Sequence, residues 1–173
     1  MNILKYIYIF IAISSLSIIT SCDKGGEPEV EGTSTRKYAG DWFIRAKNAA
    51  GLEVSGYHLY LTYNTAANDN TMWIDDWATR TLAAPGVPAG YYLRTKLNLD
   101  LATGSFSAAS QPNLNDAGST VIITDGIITT NGGISKGGHV VDKITFKGVF
   151  SYAPADVITF EGHKRTGFYE DEY

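Results

Sequence analysis

The sequence has little cysteine, little basic charge and few charged residues overall. It contains a single Cys, so no disulfide can form within the chain, and burial of apolar side chains must stabilise the fold. It has 14 Lys and Arg against 18 Asp and Glu, with no basic run longer than the pair Arg36 and Lys37. This balance excludes the electrostatic pattern of a nucleic-acid-binding protein. The 173 residues, 44% hydrophobic and 18% charged, have the composition of one globular domain after any targeting segment.

The N-terminal residues show the pattern of an export signal. Lys5 provides a short positive region, residues 6–16 are mainly apolar, and small residues follow directly before Cys22. The apolar run is shorter than the roughly 20 residues that a transmembrane helix needs, and a polar stretch comes after it. We therefore predict a signal peptide over residues 1–21, with a membrane-spanning anchor as the alternative.

Ile19, Thr20 and Ser21 precede this cysteine, and together with it they resemble the lipobox of bacterial lipoproteins. The resemblance implies cleavage before Cys22 and attachment of a lipid to its thiol. Residues 22–35 carry several Gly and Glu residues and predict a flexible tether. We expect a lipid-anchored protein of the bacterial cell envelope, in the outer membrane, with the periplasmic or surface face left open.

The rest of the chain is rich in β-strand patterns. In residues 91–101 apolar and polar side chains alternate with the period of a half-buried strand. Asp125 and Gly126 are typical of a type I′ turn and predict a β-hairpin, and the four glycines of residues 131–138 predict a mobile loop. The other candidate strands are residues 41–47, 57–63, 71–77, 105–109, 120–124, 127–131, 143–152 and 157–165. Nine strands joined by short turns predict an all-β fold, an antiparallel up-and-down barrel of about eight or nine strands over residues 36–173, with a sandwich as the alternative.

Gly40 and Trp42 form a Gly-x-Trp pattern at the start of the first candidate strand. This pattern resembles the motif that opens the first strand of lipocalins and other calycins. The resemblance implies that Trp42 closes one end of the barrel and stacks against an arginine late in the chain. Arg165 is the candidate for that partner, and an arginine facing solvent is the alternative.

A wider resemblance covers most of the chain after the cysteine. It rests on residues 61–68 (LTYNTAAN), 72–76 (MWIDD), 123–126 (ITDG) and 164–168 (KRTGF). Together they resemble a family of bacterial lipoproteins described as lipid-binding, putative hydrolases with a lipocalin-like barrel. The resemblance implies the calycin-like fold, and it implies binding of a lipid.

Aromatic and aliphatic side chains on the candidate strands are our candidates for ligand binding. They are Tyr57, Leu59, Leu61, Trp73, Leu97, Leu99, Phe146 and Phe150. A barrel of about eight strands either encloses one small ligand or is filled by its own side chains, and these residue types fit both. We predict a lipid or other small apolar ligand, with a filled core as the alternative.

Catalytic and metal-binding patterns are weak. Residues 133–137 match Gly-x-Ser-x-Gly, in which a strand-to-helix turn exposes a nucleophile, here Ser135. No helix pattern follows, so a glycine-rich loop is the favoured interpretation. His58, His139 and His163 lack the spacing of metal ligands, and we predict neither a metal nor another cofactor. The sequence therefore favours a binding protein over an enzyme.

Three functions remain after these arguments. The first is an envelope-anchored lipoprotein that binds a lipid or other small apolar ligand. The alternative is an accessory or structural component of an outer-membrane glycan-uptake complex, with outer-membrane protein partners and aromatic side chains that stack on sugar rings. A hydrolase is the third, since the family description includes that activity.

Overall fold

The structure is a computed structural model that describes residues 32–76 and 92–173. The predicted signal peptide, Cys22 and most of the predicted tether lie outside the described residues, as do residues 77–91. In the described ranges, no helix is long and apolar enough to span a membrane.

Eight antiparallel strands close into a barrel. Each strand pairs with the next one along the chain and β8 pairs back with β1, which confirms the predicted all-β, up-and-down barrel. The strands are β1 Gly40–Lys47, β2 Glu53–Asn64, β3 Thr71–Asp75, β4 Arg94–Leu99, β5 Ser105–Pro112, β6 Thr120–Ile134, β7 Val140–Phe150 and β8 Ile158–Lys164. Short 3₁₀ turns flank them at Arg36–Tyr38 and Tyr169–Asp171.

The strand β4 shows how the sequence produces the wall of the barrel. Thr95, Leu97 and Leu99 are buried, whereas Lys96 and Asn98 between them are exposed. Successive strand residues face opposite sides of a sheet, so apolar alternation places one row inside the barrel and the polar row in water.

The predicted hairpin at Asp125 and Gly126 is wrong, because both residues lie inside the continuous strand β6. The register of β6 against β7 shifts between Thr124 and Ile127, which marks a β-bulge. Asp125 has φ +52°, and a Cβ on Gly126 would lie 2.4 Å from atoms of Phe106. The two residue types that tolerate a tight turn therefore serve a bulge here, and two of the nine candidate strands merge into one.

The glycine-rich residues 131–138 are also more regular than expected. β6 continues to Ile134, which pairs with Val140 at the start of β7. The connection is a tight turn in which the amide of Gly138 donates a hydrogen bond to the carbonyl of Ser135 at 3.0 Å. The predicted loop is thus the end of a long β6–β7 hairpin.

The inward-facing side chains form one apolar core. Aromatic rings from four strands meet inside it: Phe146 stacks on Phe160 at 4.5 Å between ring centroids, Phe106 lies 5.8 Å from Phe146, and Tyr60 lies 6.4 Å from Phe160. The core also contains Tyr38, Trp42, Ile44, Ala46, Met72, Ile74, Leu93, Leu97, Leu99, Ala108, Val121, Ile123, Ile128, Ile144, Phe150 and Ile158. Because β5 and β7 are not neighbours, and neither are β2 and β8, these contacts cross the interior.

Candidate functional site

Trp42 lies fully buried near the start of β1. Its indole Nε1 donates a hydrogen bond to Thr62 Oγ1 at 2.8 Å, and Thr62 Oγ1 donates in turn to the carbonyl of Tyr38 at 2.7 Å. This chain of bonds ties the 3₁₀ turn before the barrel to β1 and β2. Nothing in the sequence pattern singled out Thr62, because a threonine on a strand has many other uses.

The structure does not bring Arg165 onto Trp42. The cation over the Trp42 ring is Lys164, whose Nζ lies 5.7 Å from the ring centroid, and Arg165 lies 6.0 Å from the ring of Phe43. Successive residues of a strand face opposite sides of the sheet. Lys164 therefore faces the same side as Trp42, and Arg165, one position later, faces the side of Phe43. Gly40, with φ +149°, leaves room for the lysine, since a Cβ there would lie 2.9 Å from Lys164 Cε.

Four of the predicted ligand-binding residues lie in the interior. Leu97, Leu99, Phe146 and Phe150 are each at most 1% exposed. Side chains that line a cavity retain accessible area on the cavity side, and these do not. The described side chains therefore fill the interior at these positions instead of enclosing a space large enough for a lipid.

The other four predicted ligand-binding residues lie on the outer face. Tyr57, Leu59, Leu61 and Trp73 are half-buried and alternate with inward-facing neighbours such as Tyr60. The sequence does not separate the two rows, because β2 carries large apolar residues on both faces.

A groove with a volume of about 760 Å³ opens at the β4–β5 turn. β4 and β5 pair only at Asn98 with Ser107 and at Leu99 with Phe106. The groove reaches this seam, and the two buried side chains Leu99 and Phe106 form part of its wall. The complete lining is Asn70, Asn98, Leu99, Asp100, Leu101, Ala102, Ser105, Phe106, Ser107, Asp125 and Gly126.

The rim of this groove carries carboxylates. The amide of Ala102 donates to Asp100 at 2.9 Å, and this bond with those from Thr103 lowers the pKa of Asp100 below its usual value. Asp125 pairs with the ammonium of Lys147 at 2.8 Å. The groove thus combines an exposed leucine, Leu101, with a rim that is charged at neutral pH.

The C-terminal residues fasten onto the outside of the barrel through Asp171, which is 1% exposed. Its carboxylate accepts hydrogen bonds from Thr166 Oγ1 at 2.6 Å, from the amide of Gly137, and from His139 Nδ1 at 2.9 Å. Burial on its own would raise the pKa of Asp171, but the bonds from Thr166, Ser135, Gly137 and His139 outweigh it and lower that pKa.

Tyr173 covers an aromatic patch on the same outer face. Its ring centroid lies 5.0 Å from that of Phe43 and 4.3 Å from that of Tyr57. Its hydroxyl lies 3.1 Å from His163 Nε2. Phe43 and His163 are buried although both face outward. No local sequence signal reveals this contact, because it joins the last residue to β1, β2 and β8.

Ser135 lies near a histidine, but the arrangement is not that of a catalytic triad. Its Oγ is 3.4 Å from His139 Nδ1, and Asp171 Oδ2 is 2.9 Å from the same nitrogen. A Ser-His-Asp triad uses the two opposite ring nitrogens. Ser135 Oγ also accepts the His139 amide at 3.0 Å, and a turn follows the serine where an elbow would need a helix. The cluster fastens the hairpin turn to the C-terminal residues.

Within the two described ranges, no group of three or more His, Cys, Asp or Glu side chains is placed to hold a metal ion. The carboxylate of Asp69 accepts hydrogen bonds from the amide of Thr71 at 2.8 Å and from the Thr71 hydroxyl at 2.5 Å. These bonds form an Asx turn between β2 and β3.

Comparison with protein families gives a match over most of the chain. The model of a family described as "lipid-binding putative hydrolase" matches residues 27–169, a range that includes all eight strands. No curated protein matches the chain.

Proposed function

The chain belongs to the family of lipid-binding putative hydrolases, and from this premise we propose that its barrel binds a lipid or another small apolar ligand at the β4–β5 groove. The family and the closed barrel both support lipid binding. The observation that carries the location is the groove of about 760 Å³ at the β4–β5 turn, where the exposed side chain of Leu101 lies at the rim.

The groove has the size and chemistry that an acyl chain needs. Ligand pockets commonly span about 300–1,000 Å³, and the groove falls in this range. Leu101, which is 40% exposed, offers an apolar side chain at the rim, whereas Leu99 and Phe106 in the wall are at most 4% exposed. Because the described interior is packed, a ligand binds along the groove and reaches these two side chains only by displacing core residues.

The charges at the rim favour one class of head group. Asp100 would repel a free carboxylate placed at the mouth of the groove, whereas Lys147 offsets the charge of Asp125. We therefore expect an uncharged or zwitterionic head group, as in a glyceride or a lysophosphatidylcholine, to bind more tightly than a free fatty acid.

The same proposal includes a lipid anchor on Cys22 and a location in the bacterial cell envelope, at the outer membrane. It is supported by the short apolar run before the only cysteine and by the polar residues after it. Substitution Cys22→Ala should move most of the protein out of the membrane fraction, and a distribution like that of wild type would contradict the anchor.

Native mass spectrometry of the full chain purified from a bacterial host tests the ligand. We expect a lipid at near-unit stoichiometry, recovered by solvent extraction, and its loss in Leu101→Arg, which places a long charged side chain at the rim. The matched control is Leu114→Arg, a change at an exposed leucine of the β5–β6 turn, which should keep the lipid.

A wild-type protein that carries no lipid, and takes up none from a panel of lysophospholipids, glycerides and fatty acids, would contradict the proposal. Equal loss in both arginine variants would contradict the groove as the site while leaving lipid binding in place.

The ring pair of half-buried Tyr57 and exposed Tyr173 favours a second candidate, an accessory role in an outer-membrane glycan-uptake complex. The Tyr173 ring is 52% exposed, and the cations of Arg45 and Lys136 lie 5.2 Å from the ring centroids of Tyr57 and Tyr173 respectively. Aromatic faces edged by hydrogen-bond donors suit a sugar ring. Tyr173→Ala should then abolish binding in a glycan panel, and an unchanged panel would dismiss this role.

Hydrolysis is the third candidate and has the least support. Ser135 is the only serine in a catalytic-type motif, and its geometry with His139 is that of a fastened turn. If the protein hydrolyses esters, and Ser135→Ala abolishes this activity while keeping its thermal stability, hydrolysis would become the favoured function.

A further inference from the structure

The β6–β7 hairpin projects from the end of the barrel at which the chain enters. The last β7–β8 pair at this end is Lys143 with His163, whereas the β6–β7 ladder continues to Ile134 with Val140. At the same end the amide of Ser34 donates to Asn68 Oδ1 in the β2–β3 turn, at 2.9 Å. The entering chain, the hairpin tip and the groove at the β4–β5 turn therefore share one end of the barrel, which we call the entry end.

The tip of this hairpin exposes large apolar side chains. Ile134 and Val140 are 61% and 63% exposed although they pair across the two strands. Beside them the ring of Phe168 lies 4.9 Å from that of His139, and Tyr169 is 93% exposed. A projecting hairpin that offers isoleucine, valine, phenylalanine and tyrosine to solvent indicates a surface that another phase or molecule covers.

The charge along this hairpin suits a membrane surface. Residues 126–141 contain no Asp or Glu, and Lys136 at the turn is their only Lys or Arg. The ammonium of Lys136 donates one hydrogen bond to the carbonyl of Glu172 at 2.6 Å, and its other two donors can serve a lipid phosphate. Ammonium groups and tyrosine rings are both common in the head-group layer. Glu170 follows Tyr169 directly, so the contact is shallow and does not reach the hydrocarbon core.

We propose that the hairpin tip, together with Phe168 and Tyr169, rests in the head-group layer of the membrane that carries the anchor. This inference depends on the proposed lipid anchor at Cys22. Ten residues lie between Cys22 and Thr33, so the eleven Cα–Cα steps keep the anchor within about 40 Å of the entry end. The groove then opens toward the bilayer, the source of the lipid that it binds.

The opposite end of the barrel provides the control. Leu52 and Leu114 are exposed there at 66% and 54%, in the β1–β2 and β5–β6 turns. They occupy separate turns, whereas Ile134 and Val140 pair directly across the hairpin and Phe168 contacts the adjacent His139.

The test uses the full lipidated chain in vesicles of phosphatidylethanolamine and phosphatidylglycerol. An environment-sensitive fluorophore is attached at Val140→Cys, or at Leu114→Cys as the control, and nitroxide-bearing phospholipids serve as quenchers. We expect blue-shifted emission and strong quenching at position 140, and emission as in buffer at position 114.

A second experiment removes the anchor and measures how strongly the hairpin tip alone binds the vesicles. In the Cys22→Ala chain, Ile134→Ser with Val140→Ser should lower cosedimentation with the same vesicles by about tenfold, since two exposed apolar side chains lose their burial. Leu52→Ser with Leu114→Ser should leave it unchanged. All four positions are exposed, so both pairs should fold.

The outcomes separate the two proposals. If the lipidated chain is bound to vesicles but position 140 emits as in buffer, or position 114 is quenched instead, the hairpin contact is wrong and the anchor stands. If the wild-type chain does not associate with membranes at all, the anchor fails and this inference fails with it.

Discussion

Two sides of the barrel are held together in different ways. On the side of β8, β1 and β2, residue pairs follow β1 over its whole length, from Gly40 with Thr62 to Lys47 with Thr159. Buried hydrogen bonds from Trp42 through Thr62 add to this side. On the side of β4 and β5, the register holds two residue pairs, Asn98 with Ser107 and Leu99 with Phe106, and the groove lies beside these pairs at the β4–β5 turn.

We infer that one side of the barrel provides most of its stability and that the other side gives a ligand access to it. The closed side buries the largest core side chain and satisfies its polar atom, so it should open only when the whole barrel unfolds. The open side carries the groove at a turn, outside most of the backbone ladder, so a ligand can bind there at small cost to the fold. The predictions below test whether the two sides behave so differently.

The largest effect is expected on the closed side. Trp42→Ala removes a fully buried indole and leaves a cavity, and should lower the free energy of unfolding by about 3–5 kcal/mol. Denaturant unfolding measures the loss. The matched control is Trp73→Ala, on the outer face, which should cost less than half as much. Equal losses for the two tryptophans would show that Trp42 does not hold the closed side.

A smaller effect is expected at Gly126, which borders the groove. A methyl group there would lie 2.4 Å from Phe106 atoms, so Gly126→Ala should cost about 1–3 kcal/mol of unfolding free energy through overpacking. Gly56→Ala is the control, because the nearest atom to its added Cβ would be 3.8 Å away. A stable Gly126→Ala that still binds lipid would mean that the seam adjusts freely.

The smallest effect concerns the C-terminal residues, which Asp171 fastens to the β6–β7 turn, and it depends on pH. The folded pKa of Asp171 is lowered, so its carboxylate contributes stability above its ordinary pKa of 3.8, and this contribution is lost as the pH falls through the folded value. Asp171→Asn should therefore lower Tm at neutral pH, and the gap to wild type should narrow below about pH 4. Thermal unfolding across pH measures this gap, and a gap that widens in acid would contradict the assignment.

The strands were predictable wherever one face is apolar and the other polar. β4 is the clearest example, because Thr95, Leu97 and Leu99 alternate with polar residues. Prediction of the hairpin at Asp125 and Gly126 failed because a positive φ is shared by turns and bulges, and only the partner strands decide between them.

The candidate site was harder to predict than the fold. Whether Leu61 or Leu97 faces the interior depends on register, which one residue of shift inverts. A shift of one residue likewise decides whether Lys164 or Arg165 is the cation over Trp42. The groove is formed where Asn70, the β4–β5 turn and Asp125 come together, so it is a property of several chain segments at once. Tyr173 and Asp171 contact residues far away in sequence, so no local pattern reveals them.

The most direct test of the account is an NMR titration of the folded chain with a lysophosphatidylcholine below its micelle concentration. We expect saturable shifts in the amides of Asn98 to Ser107 and of Asp125 and Gly126, with Tyr57 and Tyr173 unchanged. Shifts confined to Tyr57, Tyr173 and their neighbours, or no saturable shift at all, would contradict lipid binding at the β4–β5 groove.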